Sequence, residues 1–273
     1  MKIGVRGHDY GKHSAEKFAR ILREEGYETV QLAIPRAIEG AESFADVTEE
    51  LVDRIRSAFE KEQLEIGVFS CYMDLSSPDD EVRGRAVETF CRCLSLARQA
   101  GARMVGSETS YECLSRREKA RRFPLLLDSL KRMTEEAERV GMTIGLEPVQ
   151  DHTLESMDAA AEVLDILGSD RVRLIFDPVN LLRRPLEVNQ EEYWRRCLEL
   201  GGDRIAAVHM KDFVPGEDGR QLACPLGEGV MEYRLIREWM KGRTDLPVMR
   251  DELDLAFAEK DMAYLRWMKA VTK

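Results

Sequence analysis

Eight short apolar runs alternating with long charged amphipathic ones, a length of 273 residues, and polar groups closing nearly every apolar run together predict an α/β fold. The expected architecture is a single (β/α)8 TIM barrel over residues 1–273, since such barrels typically need about 250 residues. No Pro/Gly/Ser-rich linker and no break in composition divides the chain. That continuity favours one closed barrel over two doubly wound halves.

The strands are expected, in order, at Lys2 to Arg6, Thr29 to Ile34, Ile66 to Cys71, Met104 to Glu108, Thr143 to Pro148, Val172 to Asp177, Ile205 to Lys211 and Pro247 to Asp251. Helices are expected between them at Ser14 to Glu25, Glu81 to Ala100, Pro124 to Val140 and Tyr193 to Leu200. Gly26, Gly101 and Gly141 follow three of these, as the left-handed residue that ends a helix would. Six cysteines without CxxC spacing read as reduced packing residues, and Cys91 and Cys93, two apart on a helix, do not share a face.

Active residues of such a barrel belong at the C-terminal ends of its strands. Those ends read Arg6-Gly-His8-Asp9, Gln31 with Pro35-Arg36, Cys71-Tyr72-Met-Asp74, Glu108-Thr109, Glu147-Pro148, Asp177-Pro-Val-Asn180, His209-Met-Lys211-Asp212 and Arg250-Asp251-Glu252. Charged groups aimed into a packed barrel mouth are costly unless paired or bound to an ion. Alternation sharpens the point: if Ile144 and Leu146, Leu174 and Phe176, and Ala206 and Val208 face the helices, then Glu147, Asp177 and His209 face inward. Two carboxylates and an imidazole with open positions suit one catalytic divalent ion, manganese first, with magnesium, cobalt or zinc as alternatives. The eighth strand should add a fourth ligand, Asp251 or Glu252. If Asp251 faces in, Arg250 lies under the helices; if Glu252 faces in, Arg250 also enters the barrel and can contact substrate. The longer arm of Glu252 favours it as both ligand and proton carrier.

The segments Ile144-Gly-Leu-Glu147-Pro, Ile175-Phe-Asp177-Pro-Val-Asn180, Val208-His209-Met-Lys211-Asp212 and Leu226-Gly-Glu-Gly229 resemble the sugar phosphate isomerase/epimerase family of xylose isomerase-like barrels. The order Glu, Asp, His, Glu on the last four strands is similar to that of ketohexose 3-epimerases. The resemblance implies a metal held by Glu147, Asp177, His209 and an acid at 251 or 252, with Glu147 and that last acid as paired proton-transfer groups. Two departures bear on substrate: Asn180 stands where those epimerases have a His, and the eighth strand ends in Arg-Asp-Glu.

The expected activity is therefore isomerisation or epimerisation of a small sugar, keto-sugar or polyol through a metal-stabilised enediolate. A lyase or dehydratase on the same site is the alternative, and a non-catalytic sugar-binding barrel is a third reading. His8, Glu108, His152, Asn180, Lys211 and Arg250 are candidate substrate contacts. Plainer explanations exist for two of them: a helix cap near Thr153 or Ser156 for the His152 segment, and an ion pair with Asp212 or Glu228 for Lys211. Gly227-Glu-Gly229 reads as a flexible loop over the mouth, too short for a nucleotide fingerprint. The basic run Arg116 to Arg122 reads as a solvated helix face. A formal net charge of -10 argues against nucleic acid as partner, and no run approaches the apolar length of a membrane span. The N-terminus lacks the apolar stretch of a signal peptide, so the expectation is a cytoplasmic enzyme. Assembly as a homo-oligomer would be in keeping with such barrels.

Overall fold

The computed structural model describes residues 1–182, 184–216 and 220–273. Its strands are β1 (Lys2–Arg6), β2 (Thr29–Leu32), β3 (Glu65–Ser70), β4 (Met104–Ser107), β5 (Thr143–Leu146), β6 (Val172–Phe176), β7 (Ile205–Met210) and β8 (Pro247–Arg250). They close into a barrel in the order β1-β8-β7-β6-β5-β4-β3-β2, every barrel pairing parallel. Around it run α1 (Ala15–Glu25), α2 (Glu49–Lys61), α3 (Asp80–Gln99), α4 (Arg116–Val140), α5 (Met157–Leu167), α6 (Gln190–Gly201), α7 (Arg234–Trp239) and α8 (Ala258–Val271).

Strand alternation sorts the apolar residues into two cores. Val68, Met104, Ile175, Ala207 and Met249 fill the barrel interior. Ile144, Leu146, Leu174, Phe176 and Val208 belong to the larger core between strands and helices, so the parity read from the sequence holds at these five positions, whereas Ala206 packs against the interior cluster instead. The interior is tight enough that glycines are required opposite its large side chains: an added Cβ at Gly67 would lie 2.7 Å from Met249 Cε, and one at Gly106 would lie 2.9 Å from Ile175 Cδ1.

Several strands stop one or two residues before the expected end, β5 at Leu146 and β7 at Met210 for example. The polar residues beyond these ends turn into the mouth, Glu147 N still donating to Ser107 O on β4 at 3.0 Å. Helix α4 departs further from expectation, beginning at Arg116 with Pro124 inside it. A capping box explains the start: Ser115 and Glu118 satisfy each other's backbone N–H groups. The basic run thus forms the opening turns of α4, with Arg122 paired to Glu112.

After β7 an antiparallel pair, Asp212–Pro215 with Gln221–Cys224, projects from the barrel. Asp212 anchors both this pair and the Gly227–Met231 segment, accepting backbone N–H bonds from Phe213, Gly227, Gly229 and Met231 at 2.9 to 3.2 Å. The Gly227–Gly229 segment is therefore pinned to Asp212 rather than a flexible cover, and it does not line the main cavity. All six cysteines are reduced, Cys93 buried and Cys91 half-buried. No helix among the described residues is long and apolar enough to cross a membrane.

Candidate metal centre

The C-terminal mouth of the barrel holds a cavity of about 910 Å³. At its floor three consecutive strands deliver Glu147, Asp177 and His209, each with at most 1% of its surface exposed. Their ligand atoms all lie within 4.8 Å of one another. His209 Nδ1 is 3.4 Å from Glu147 Oε2 and 3.8 Å from Asp177 Oδ2.

Neighbouring loops fix the carboxylates. Asp177 caps the short turn Pro178–Leu181, its Oδ1 accepting from Asn180 N at 2.9 Å. Asn180 Nδ2 in turn donates to Glu147 Oε1 at 2.6 Å. Tyr72 donates its hydroxyl to Glu147 Oε2 at 2.8 Å, and Gln31 Nε2 donates to that hydroxyl at 3.1 Å.

Among Glu147, Asp177 and His209, three atoms remain without a hydrogen bond: Asp177 Oδ2 and both ring nitrogens of His209. Asp177 Oδ2 does lie 3.2 Å from Lys211 Nζ, a charge contact without hydrogen-bond alignment. Buried polar atoms are costly when unpaired, and two carboxylates with one imidazole are a donor set suited to a divalent cation. The residues therefore fit a metal ion, which Glu147, Asp177 and His209 could hold. The electrostatics agree. Burial alone would discharge His209, yet Glu147, Asp251 and Asp177 around the ring push its pKa up to about 9, so without metal a proton serves as the local cation. Burial, opposed by Lys211, raises Asp177 to about 6.

On β8 the structure takes the first of the two alternatives. Met249 points into the barrel, Arg250 outward and Asp251 inward. Arg250 Nε bonds Asp261 Oδ2 of α8 at 2.5 Å, and Arg250 does not line the cavity. Its expected substrate contact is therefore corrected: the guanidinium is a buried structural cation beneath the helices. Asp251 sits in the mouth but outside the three-ligand cluster. Its Oδ2 is 3.0 Å from Lys211 Nζ and its Oδ1 is 3.4 Å from Arg6 Nε. Although burial opposes ionisation, Lys211, His209 and Arg6 hold the carboxyl far below the usual range. Glu252 adopts a left-handed backbone, φ 51°. Its side chain is 58% exposed and reaches Lys211 Nζ at 3.2 Å. Glu252 is thus at the cavity wall rather than beside Glu147, Asp177 and His209. Lys211 is paired with Asp177, Asp251 and Glu252, whereas Asp212 serves backbone donors and Glu228 pairs with Lys260.

His8, Glu108, His152, Asn180 and Lys211 all line the cavity. Burial, with Arg6 and Arg36 nearby, lowers His8 to about 4, which leaves a neutral imidazole for hydroxyl contacts. Burial and the charge of Glu147 raise Glu108 to about 8. Tyr72, Gln31 and Arg6 stand at strand ends in the sequence, but no local signal distinguishes them from their neighbours. Only barrel closure brings β1, β2 and β3 against the acids of β5 and β8.

A family model described as xylose isomerase-like TIM barrel matches residues 19–249. No curated protein sequence matches the chain. Among solved structures, a D-tagatose 3-epimerase-like protein superposes with TM-score 0.79 at 18% identity, over 100% of this chain and 98% of its own. A xylose isomerase-like TIM barrel protein from Mycobacterium smegmatis, in complex with magnesium, gives TM-score 0.74 at 18% identity over 100% and 98%. The probable 3-DHS dehydratase AsbF from Bacillus anthracis, involved in petrobactin synthesis, gives 0.73 at 16% over 100% and 99%. At these identities the likeness is one of fold.

Proposed function

This chain belongs to the xylose isomerase-like TIM barrel family, and from that premise we propose that it is a divalent-metal-dependent isomerase or epimerase of a small sugar, keto-sugar or polyol. The observation that carries the reading is the set of inward atoms without hydrogen bonds, Asp177 Oδ2 and both nitrogens of His209, grouped with Glu147 at the cavity floor. A divalent ion bound there would polarise a substrate carbonyl and its neighbouring hydroxyl, acidifying the C–H between them.

The chain's own residues supply the rest. Glu147 is the base, its two oxygens aimed by Tyr72 and Asn180, and it takes the carbon-bound proton. His8 contacts a hydroxyl as a neutral imidazole, and Lys211, flanked by Asp177 and Asp251, offsets charge that develops on substrate oxygen. Return of a proton to the opposite face gives an epimer; return to the adjacent carbon, with oxygen protons rearranged, gives an isomer. The likeness to a D-tagatose 3-epimerase-like protein and to a magnesium-bound barrel supports this chemistry.

A second reading, a lyase, is favoured by Glu108, which keeps its proton up to about pH 8 and could protonate a departing hydroxyl. The dehydratase neighbour supports it too. The test is calorimetric titration with manganese, then incubation of the loaded protein in D2O with ketohexoses, keto-glucosides and inososes. One ion per chain and deuterium next to a carbonyl, without loss of water, is the expected result. Loss of water would favour the lyase, and a failure to bind metal would overturn both readings.

A further inference from the structure

We propose that Glu108, oriented by His152, is the second proton-transfer group of this site, in place of an acid from β8. The inference rests on the enediolate chemistry proposed above and identifies the partner of Glu147.

Both acids that follow β8 are already engaged in ion pairs. Asp251 presents one oxygen to Lys211 and the other to Arg6, two cations that stay charged. Glu252 turns outward on its left-handed backbone and gives Oε1 to Lys211. Glu108 stands differently. It follows β4, next to β5 and across the barrel from β8 in the strand order, and it lines the cavity that Glu147 lines. Its side chain is three-quarters buried, with no Lys or Arg ion pair among the described residues, and Oε2 lies 3.4 Å from His152 Nδ1, a charge contact without hydrogen-bond alignment.

The surroundings hold that pair rigidly. Three loops, after β3, β4 and β5, are stitched together by buried hydroxyls. Ser76 Oγ donates to Thr109 O at 3.0 Å and lies 2.7 Å from Thr153 Oγ1. Leu154 N donates to Thr109 Oγ1 at 3.1 Å, and Thr153 N to Ser110 Oγ at 3.3 Å. Of these, Thr109 directly follows Glu108 and Thr153 directly follows His152. Locked supporting residues are what a proton-transfer group requires, because misplacement by an ångström forfeits much of its effect.

The step balances as a proton transfer. Glu147 accepts the carbon-bound proton and the C–H electron pair enters the enediolate. The O–H bond of Glu108 then breaks, its pair staying on the carboxylate, while an enediolate pair forms the new C–H bond. Solvent restores both carboxyl groups between turnovers. In an elimination the same proton would go to the departing hydroxyl, which leaves as water with the C–O pair. Burial and the neighbouring Glu147 keep Glu108 protonated at neutral pH, the state this role needs.

The experiment uses manganese-loaded wild type, Glu108→Gln, Glu108→Asp and His152→Leu in D2O with D-fructose, D-tagatose and an inosose. Metal affinity measured by calorimetry serves as the check on folding. In Glu108→Gln, deuterium should still enter the carbon that Glu147 deprotonates, while product formation falls by roughly 10² to 10⁴-fold. Glu108→Asp, which keeps an acid, should recover part of that loss. His152→Leu should move the alkaline limb of the kcat/KM profile to higher pH, because the imidazole edge 3.4 Å from Oε2 favours the carboxylate. Product formation by Glu108→Gln at the wild-type rate, or equal loss of exchange and product with metal affinity intact, would overturn the inference alone. A wild type that exchanges none of these sugars would overturn the functional reading and this inference with it.

Discussion

Lys211 Nζ lies 3.0 Å from Asp251 Oδ2, so the strand expected to supply a fourth metal ligand presents an acid already paired with a cation. The same ammonium is 3.2 Å from Asp177 Oδ2. One lysine, following the strand between them, therefore links the ends of the sixth and eighth strands, where two buried carboxylates would otherwise repel.

Removing that cation should be costly. Lys211→Met leaves Asp177 and Asp251 buried without it, and breaking a buried pair costs about 3–5 kcal/mol. Urea denaturation of the metal-free protein should show a loss of that size. A change typical of exposed pairs, below about 1 kcal/mol, would mean that the ammonium is solvated instead.

Metal binding should be legible as stability. At an ion concentration one hundred times Kd, the wild type should gain about 2.7 kcal/mol. His209→Ala, which deletes a side chain with two unbonded nitrogens, should gain nothing at the same concentration. Equal stabilisation of both proteins would place the ion elsewhere.

The metal-free protein should lose stability as pH rises. His209 has a folded pKa raised from 6.5 to about 9, so its contribution is complete below about 6.5 and disappears as pH passes 9. Glu108, raised from 4.5 to about 8, acts in the same direction, because its folded state favours the protonated acid and a penalty grows between those values. Denaturation midpoints measured from pH 6 to pH 10 should fall, and bound metal should flatten the decline. A midpoint that rises over this window would contradict the proposed charge arrangement.

Arg250 and Asp261 should matter to folding alone. Asp261 accepts from Arg250 Nε at 2.5 Å and from Leu226 N at 2.7 Å, tying α8 to β8 and to the segment after the projecting pair. Asp261→Ala should cost roughly 3–5 kcal/mol and leave metal affinity at the wild-type value. A large drop in affinity with little change in stability would return Arg250 to the site.

How much of the site was legible depends on local contrast along each strand. In Ile144-Gly-Leu146-Glu147 and Leu174-Ile-Phe176-Asp177 the apolar side chains that face the helices precede an acid of opposite parity, so Glu147 and Asp177 could be aimed inward from the sequence. In Val248-Met249-Arg250 both leading residues are apolar, and either could face the axis. Met249 takes the interior because Gly4 on the adjacent β1 and Gly67 on β3 leave room for it, a fact of barrel closure that no local pattern carries. Helix α4 illustrates the same limit: Pro124 looks like a start, but the capping box at Ser115 sets the boundary.

By itself the sequence determined the eightfold alternation, the barrel and the inward set Glu147, Asp177 and His209, because periodicity and strand-end chemistry act between near neighbours in the chain. Tertiary structure alone decided that Asp251 faces in and Glu252 out, that Arg250 pairs with Asp261, that Tyr72 donates to Glu147, and that Lys211 joins Asp177 to Asp251. Each of these depends on residues from different strands or helices. Their geometry follows from how the closed barrel packs, and burial makes the charge pairing among them compulsory.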